Sequence, residues 1–251
     1  MDLKSVARPA SHRVSPSLLD RAKTLPGALA ALAEHYPDFE CLFILDRERR
    51  ERRYTTAELW AETSCTARRL IAHGLKAGQT VVVVLPTGPE LISAYFGAML
   101  AGGIPALASM PLNRVADAAV YRARLGQLLD NADARIFYCT DQVAAFFGGD
   151  PSSLPRGLKI ITSATDSPAT TLRSVAALSA FPSLSDLDVA TIQYSSGSTG
   201  TPNGVLLTHR AILNNVRAIR EAFELSSDDV SVNWIPLYHD MGLIDGFLLP
   251  V

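Results

Sequence analysis

The chain has 251 residues, 48% of them hydrophobic and 19% charged, with a formal net charge of −2. That is enough apolar material for one large domain or two closely packed lobes, and too little net charge to mark a nucleic-acid surface or an anionic-membrane face. Cys41, Cys65 and Cys139 are odd in number, far apart and without a CxxC pair, so neither a disulfide scaffold nor a zinc site is expected, and a reducing cytoplasm fits best.

The first sixteen residues hold no apolar run of the kind a secretory leader carries, and the longest aliphatic run, residues 81–85, is far too short to span a bilayer. A soluble protein with no integral membrane segment is the expectation. Residues 25–36 read as an amphipathic helix closed by Pro37, and residues 41–46 and 51–54 as short strands joined by the basic turn 47–50. Thr55 and Glu58 have capping-box spacing and open a helix to about His73, with Gly74 as its C-terminal stop.

Val81-Val82-Val83-Val84-Leu85 is β-branched without alternation, as in a strand buried on both faces, and Pro86 ends it. An apolar helix over 90–101 stops at Gly102-Gly103, followed by a strand at 104–108, a helix over 115–129 and a strand at 135–139. This alternation predicts an α/β fold, a largely parallel sheet with helices on both sides. The Ser-, Thr-, Pro- and Ala-rich stretch 148–185 reads as a surface excursion with one strand candidate at 158–162, or as an interdomain linker.

A buried strand over 189–194 then enters a loop of small and hydroxylated residues. It reads Tyr194-Ser195-Ser196-Gly197-Ser198-Thr199-Gly200-Thr201-Pro202-Asn203-Gly204. A second strand at 205–207 follows, and Thr208 caps a helix reaching about Phe223. Such a loop suits polyphosphate, because glycines admit the backbone closely while N–H groups and hydroxyls donate without bulk. It is neither a Walker A loop, having no Gly-Lys-Ser/Thr, nor a GxGxxG dinucleotide fingerprint. Near the end, residues 230–235 read as a strand ended by Pro236. Tyr238-His239-Asp240-Met241-Gly242 then turns into an apolar helix for which Asp240 is a good N-cap.

The loop resembles the core signature of the acyl-adenylate-forming (ANL) superfamily, Tyr-Thr/Ser-Ser-Gly-Ser/Thr-Thr-Gly-x-Pro-Lys-Gly, departing from it only at Asn203, where the family carries lysine. Pro236-Leu237-Tyr238-His239 is similar to the superfamily's Pro-Leu-x-His motif, and the wording from Trp234 to Ile244 looks most like the fatty acyl-AMP ligases. Tyr54 to Leu59, Leu85 to Glu90, and the Pro105 strand with the Pro111 loop look similar to that branch too.

The resemblance implies a layered ANL-type N-terminal domain, present only in part. It implies that Ser195, Ser196, Gly197, Ser198, Thr199, Gly200, Thr201, Asn203 and Gly204 hold the phosphates of ATP. His239 would lie beside the adenylate without moving a proton, and Trp234, Asp240, Met241 and Gly242 would line the substrate site. The implied cofactors are ATP and Mg²⁺. The implied reaction is fatty-acid activation to acyl-AMP with release of pyrophosphate, then transfer to an acyl carrier protein. Coenzyme A as acceptor, an amino acid as substrate, and a non-catalytic lipid- or protein-binding domain are the alternatives. The later elements of such enzymes, including the lid lysine, are missing after Val251, so a partial domain without turnover by itself is expected. The helices over 90–101 and 243–249 read as core more readily than as an acyl pocket.

Overall fold

Thr80–Val84, named β3 below, shows why the sheet forms where it does. All five of its residues are buried, with Val81 and Val83 in one apolar cluster and Val82 and Val84 in the other. A strand with two apolar faces is stable only inside a sheet covered on both sides. The computed structural model describes residues 20–45, 50–111, 118–148, 154–162, 181–195, 202–226 and 229–250.

The chain begins with helix α1 (Leu25–His35) and an antiparallel hairpin of β1 (Glu40–Leu45) and β2 (Glu51–Thr55), which forms a sheet of its own. Helix α2 (Thr56–Ala72) opens on the expected capping box, Thr55 accepting from the Glu58 N–H while the Glu58 carboxylate accepts from the Thr55 N–H. It stops at Gly74, whose φ of 88° lets the Gly74 and Leu75 N–H groups turn back onto the carbonyls of Ile71 and Leu70. The α3 helix (Pro89–Leu100) ends the same way at Gly102.

The main sheet continues with β4 (Ile104–Leu107), helix α4 (Ala118–Asn131), β5 (Ala134–Cys139), helix α5 (Asp141–Ala145) and β6 (Lys159–Thr162). It closes with β7 (Val189–Ser195) and β8 (Asn203–Thr208), followed by helices α6 (His209–Ala222) and α7 (Met241–Leu248). The strand order is β6-β5-β3-β4-β7-β8, parallel throughout except for β8, which runs antiparallel to β7. Leu29, Leu59, Tyr95, Met99, Ile212 and Phe247 cover one face of this sheet; Leu125, Leu129, Val143 and Phe147 cover the other. The expected layered α/β architecture is therefore present, and β6 stands at the strand candidate 158–162 expected within the stretch 148–185.

Helix α3 is the central piece of the first face, buried from Leu91 to Leu100. It meets α2 at Gly97, where a Cβ would stand 3.0 Å from the Ala67 nitrogen and 3.1 Å from the Thr63 carbonyl oxygen. Only a missing side chain allows two helix backbones to approach so closely.

One expectation is corrected. Residues 230–235 form no strand. Their alternation is real, with Val230, Val232 and Trp234 all exposed, but among the described residues no neighbouring strand pairs with them. Asn233 also turns its amide back onto the local backbone, accepting from Ile235 N–H at 2.8 Å. The closing helix α7 is a wide π-type helix, its last turn marked by the Leu249 N–H donating to the Ile244 carbonyl five residues back.

Candidate active site

The phosphate-loop sequence lies at the mouth of the β7–β8 hairpin. Register runs from Thr191 opposite Leu207 to Ser195 opposite Asn203, so residues 196–202 bridge the two strand ends. Because β7 is parallel to β4, the mouth opens at the carboxyl end of the parallel strands, the edge where open α/β sheets bind ligands. Ser196, Gly197, Ser198, Thr199, Gly200 and Thr201 lie outside the described residues, and of Ser195 only the backbone is described. Asn203 and Gly204 are exposed residues of β8.

Three contacts fix β7. Pro105 of β4 has no N–H to give the ladder, and its carbonyl instead accepts from the Thr191 hydroxyl at 2.7 Å. The Tyr194 phenol, kept protonated by burial, donates to the Asn131 side chain at 2.9 Å. Gly204 lies against the Tyr194 ring: a Cβ there would come within 3.2 Å of ring carbons and 2.7 Å of Ile192 Cγ2.

A further contact joins the two motifs. Gln193 Nε2 donates to the Tyr238 carbonyl at 2.7 Å, bringing the Pro236–His239 turn to the strand that carries the loop. That turn is closed by the His239 N–H on the Pro236 carbonyl at 3.0 Å and anchored by the buried Leu237. The Tyr238 and His239 rings lie 4.7 Å apart, tilted by 43°, with His239 exposed. Asp240 caps as expected, its carboxylate accepting from Met241 N–H at 2.8 Å, although its own backbone is already helical.

Asn233 donates to the carbonyls of Ile235 and Gly242, at 3.3 and 3.2 Å, and so holds the start of α7 against the segment before it. Gly242 is buried, whereas Met241 and Trp234 are exposed, Trp234 by 86%. The Gln193–Tyr238 contact thus brings strand β7 and the Pro236–His239 turn together, while the Trp234 indole stands away from the core.

The reading missed Gln193 and Asn233. A glutamine inside the otherwise apolar run Val189-Ala190-Thr191-Ile192 is the signal that was available. An apolar cavity of about 90 Å³ lies among Leu25, Leu29, Phe96, Leu213 and Leu248. That is below the roughly 300–1,000 Å³ of pockets for drug-sized ligands.

Among the described residues no group of three His, Cys, Asp or Glu side chains could hold a metal ion, and no helix is long and apolar enough to cross a membrane. The described donor set therefore offers Mg²⁺ no cage of its own.

Comparison with known proteins agrees with this geometry. A long-chain-fatty-acid–AMP ligase of Mycolicibacterium smegmatis, FadD32, is 30% identical over 83% of this chain and 32% of its own length. A medium-chain-fatty-acid–[acyl-carrier-protein] ligase of Moorena producens, JamA, is 32% identical over 69% of this chain and 28% of its own. The crystal structure of a fatty acid AMP ligase from Legionella pneumophila superposes with a TM-score of 0.79 at 25% identity, covering 94% of this chain and 39% of that one. The chain thus spans about a third of the length of the proteins it resembles. The AMP-binding enzyme family matches residues 29–251, and the chain belongs to that family.

Proposed function

We propose that this chain is the front part of the large domain of a fatty acyl-AMP ligase. The observation that carries the proposal is the Gln193–Tyr238 contact, which puts the phosphate-loop strand and the His239 turn side by side at the carboxyl edge of the sheet. In support, the Legionella pneumophila fatty acyl-adenylate ligase, 25% identical over 94% of this chain, has a structure in complex with acyl adenylate and pyrophosphate.

The reaction joins a carboxylate oxygen of the fatty acid to the α-phosphorus of ATP and breaks the bond to the bridging oxygen, which leaves with pyrophosphate. The acid is already ionised at neutral pH, so the step requires no base. Two anions have to be brought together in line, a task of positioning and charge neutralisation. Loop N–H groups and hydroxyls from Ser195 to Thr201 would hold the β- and γ-phosphates, and His239, exposed on its turn, would border the adenylate. Mg²⁺ bound with ATP would supply positive charge that no side chain of the loop provides.

Asn203 donates hydrogen bonds but carries no charge. Asn203→Lys is expected to tighten ATP binding in the complete enzyme by up to about fivefold, because an exposed ion pair contributes at most ~1 kcal/mol. Titration calorimetry with ATP and Mg²⁺ measures this; a marked drop in affinity would remove Asn203 from the phosphate site.

A carrier-protein thiol as acyl acceptor is suggested by the name of the Moorena producens relative. Coenzyme A is the second reading, because a relative in Mycobacterium leprae, 30% identical over 86% of this chain, is provisionally named a fatty-acid–CoA ligase. Incubating the complete enzyme with labelled fatty acid and ATP, with either thiol offered, separates the two. Label on the carrier protein and none on coenzyme A is the expected result.

A further inference from the structure

Tyr238 presents a backbone carbonyl at a turn between a loop and a wide helix, where no ladder or helix bond is available to it. Its partner is the side-chain amide of Gln193, at 2.7 Å. A carbonyl only accepts, so the amide nitrogen has to face it, and the bond exists only with a donor at the end of a side chain of this length. Gln193 sits two residues before Ser195 and opposite Val205 in the β7–β8 register. It is half-buried, paired with Val205 of β8, in a strand that lies between β4 and β8.

On the other side of the bond the turn has few holds of its own. Among the described residues these are the His239 N–H on Pro236, the Leu243 N–H on the His239 carbonyl at 2.8 Å, the buried Leu237 and the Asn233 amide on Gly242. Nothing in these holds refers to the phosphate loop. The Gln193 amide alone, among the described hydrogen bonds, ties β7 to the Pro236–His239 turn.

We infer that Gln193 is a positioning residue that sets the distance between strand β7, which leads into the phosphate-loop sequence, and the His239 turn, so that nucleotide and acyl carboxylate meet in register. This rests on the proposed adenylation reaction and adds a role to it. The effect is expected in the joint use of the two substrates: a misplaced turn leaves ATP binding to the loop nearly intact but spoils the approach of the carboxylate.

The experiment compares Gln193→Met and Gln193→Glu with wild type in the complete enzyme. Fatty-acid-dependent exchange of pyrophosphate into ATP gives kcat and the KM for each substrate. Both replacements match glutamine in size, and neither donates at neutral pH. Each is expected to lower kcat/KM for the fatty acid by about tenfold or more, the equivalent of one hydrogen bond made in the productive geometry, with the ATP affinity within about twofold. The glutamate variant is expected to fall furthest at pH 8, where a carboxylate faces a carbonyl. It should recover toward wild type on acidification to pH 6 as the carboxyl gains a proton to donate. The wild-type profile, run alongside, is the reference; the Tyr95 phenol, raised by burial, stays neutral throughout.

Amide hydrogen exchange supplies a readout independent of activity. Residues 236–243 are expected to exchange roughly fivefold faster in Gln193→Met, with β3 and β5 unchanged. Kinetics and exchange indistinguishable from wild type would overturn the inference. So would equal losses at every pH, accompanied by a lowered melting temperature and an unchanged fatty-acid KM, because that pattern marks a contact serving only the fold. If the wild-type enzyme forms no acyl-AMP, the proposed function falls, and the exchange measurement alone decides whether Gln193 holds the turn.

Discussion

Replacing Gly242 with alanine is expected to destabilise the protein by about 2–3 kcal/mol, lowering its melting temperature by roughly 5–10 °C, and to cut acyl-AMP formation at least about tenfold. A Cβ at this position would stand 2.4 Å from the Pro236 carbonyl oxygen and 2.8 Å from that of Ile235. Both are backbone atoms, so no rotamer relieves the clash; the turn or the helix has to move. The same shift would pull the Gly242 carbonyl from Asn233 and displace the turn that Gln193 holds. Gly246→Ala is the gentler comparison, because the atoms in its way belong to the Asn233 side chain, which can swing aside at the cost of its hydrogen bonds to Ile235 and Gly242 and not of a backbone shift. Thermal unfolding of both variants gives the test: Gly242→Ala should lose more, and a Gly242→Ala protein as stable as wild type would show that the helix does not approach the turn this closely.

The second large effect is expected on acidification. His209, the first residue of α6, is buried to 1% exposure, and its Nδ1 accepts from the Leu25 N–H at 3.2 Å. That bond needs a neutral imidazole with its proton on Nε2. Burial pushes the His209 pKa down to about 4, with Asp188 and Asp186 opposing the shift. The folded pKa thus lies below the unfolded value of about 6.5, and between the two the unfolded chain binds more protons. Stability is fully present above pH 6.5 and is lost as the pH falls toward 4. The loss is on the order of 3 kcal/mol, and protonation also strips Leu25 of its acceptor. His209→Gln retains an acceptor but does not titrate. Denaturant unfolding at pH 7, 5.5 and 4.5 should show a shallower loss in the variant; parallel curves would mean that His209 is not the group that titrates.

How much of this was legible in the sequence depends on the range of the interaction. Thr55 with Glu58, and Gly74 with the turn it ends, are local devices three residues or fewer across, and both stand where the spacing put them. The valine run of β3 announced a strand buried on two faces because each of its side chains has to enter one core or the other. The family signature in 194–204 likewise placed a loop at a strand end. Residues 230–235 misled, because alternation records which side chains could share a face and not whether a neighbouring strand exists to pair with. The Gln193–Tyr238 and Asn233–Gly242 contacts follow no period at all. One joins residues 45 positions apart and the other packs a side chain against a glycine-bearing helix, so each becomes visible only once the chain is folded. A polar residue in an apolar strand was the one clue.

The most direct measurement is exchange of labelled pyrophosphate into ATP by the complete protein that carries this chain, with long-chain fatty acids and with amino acids as separate additions. The account predicts exchange that requires Mg²⁺ and a fatty acid, is not supported by amino acids, and is absent from the 251-residue chain alone. Exchange supported by an amino acid and not by fatty acids, or no Mg²⁺-dependent ATP binding at all, would contradict it.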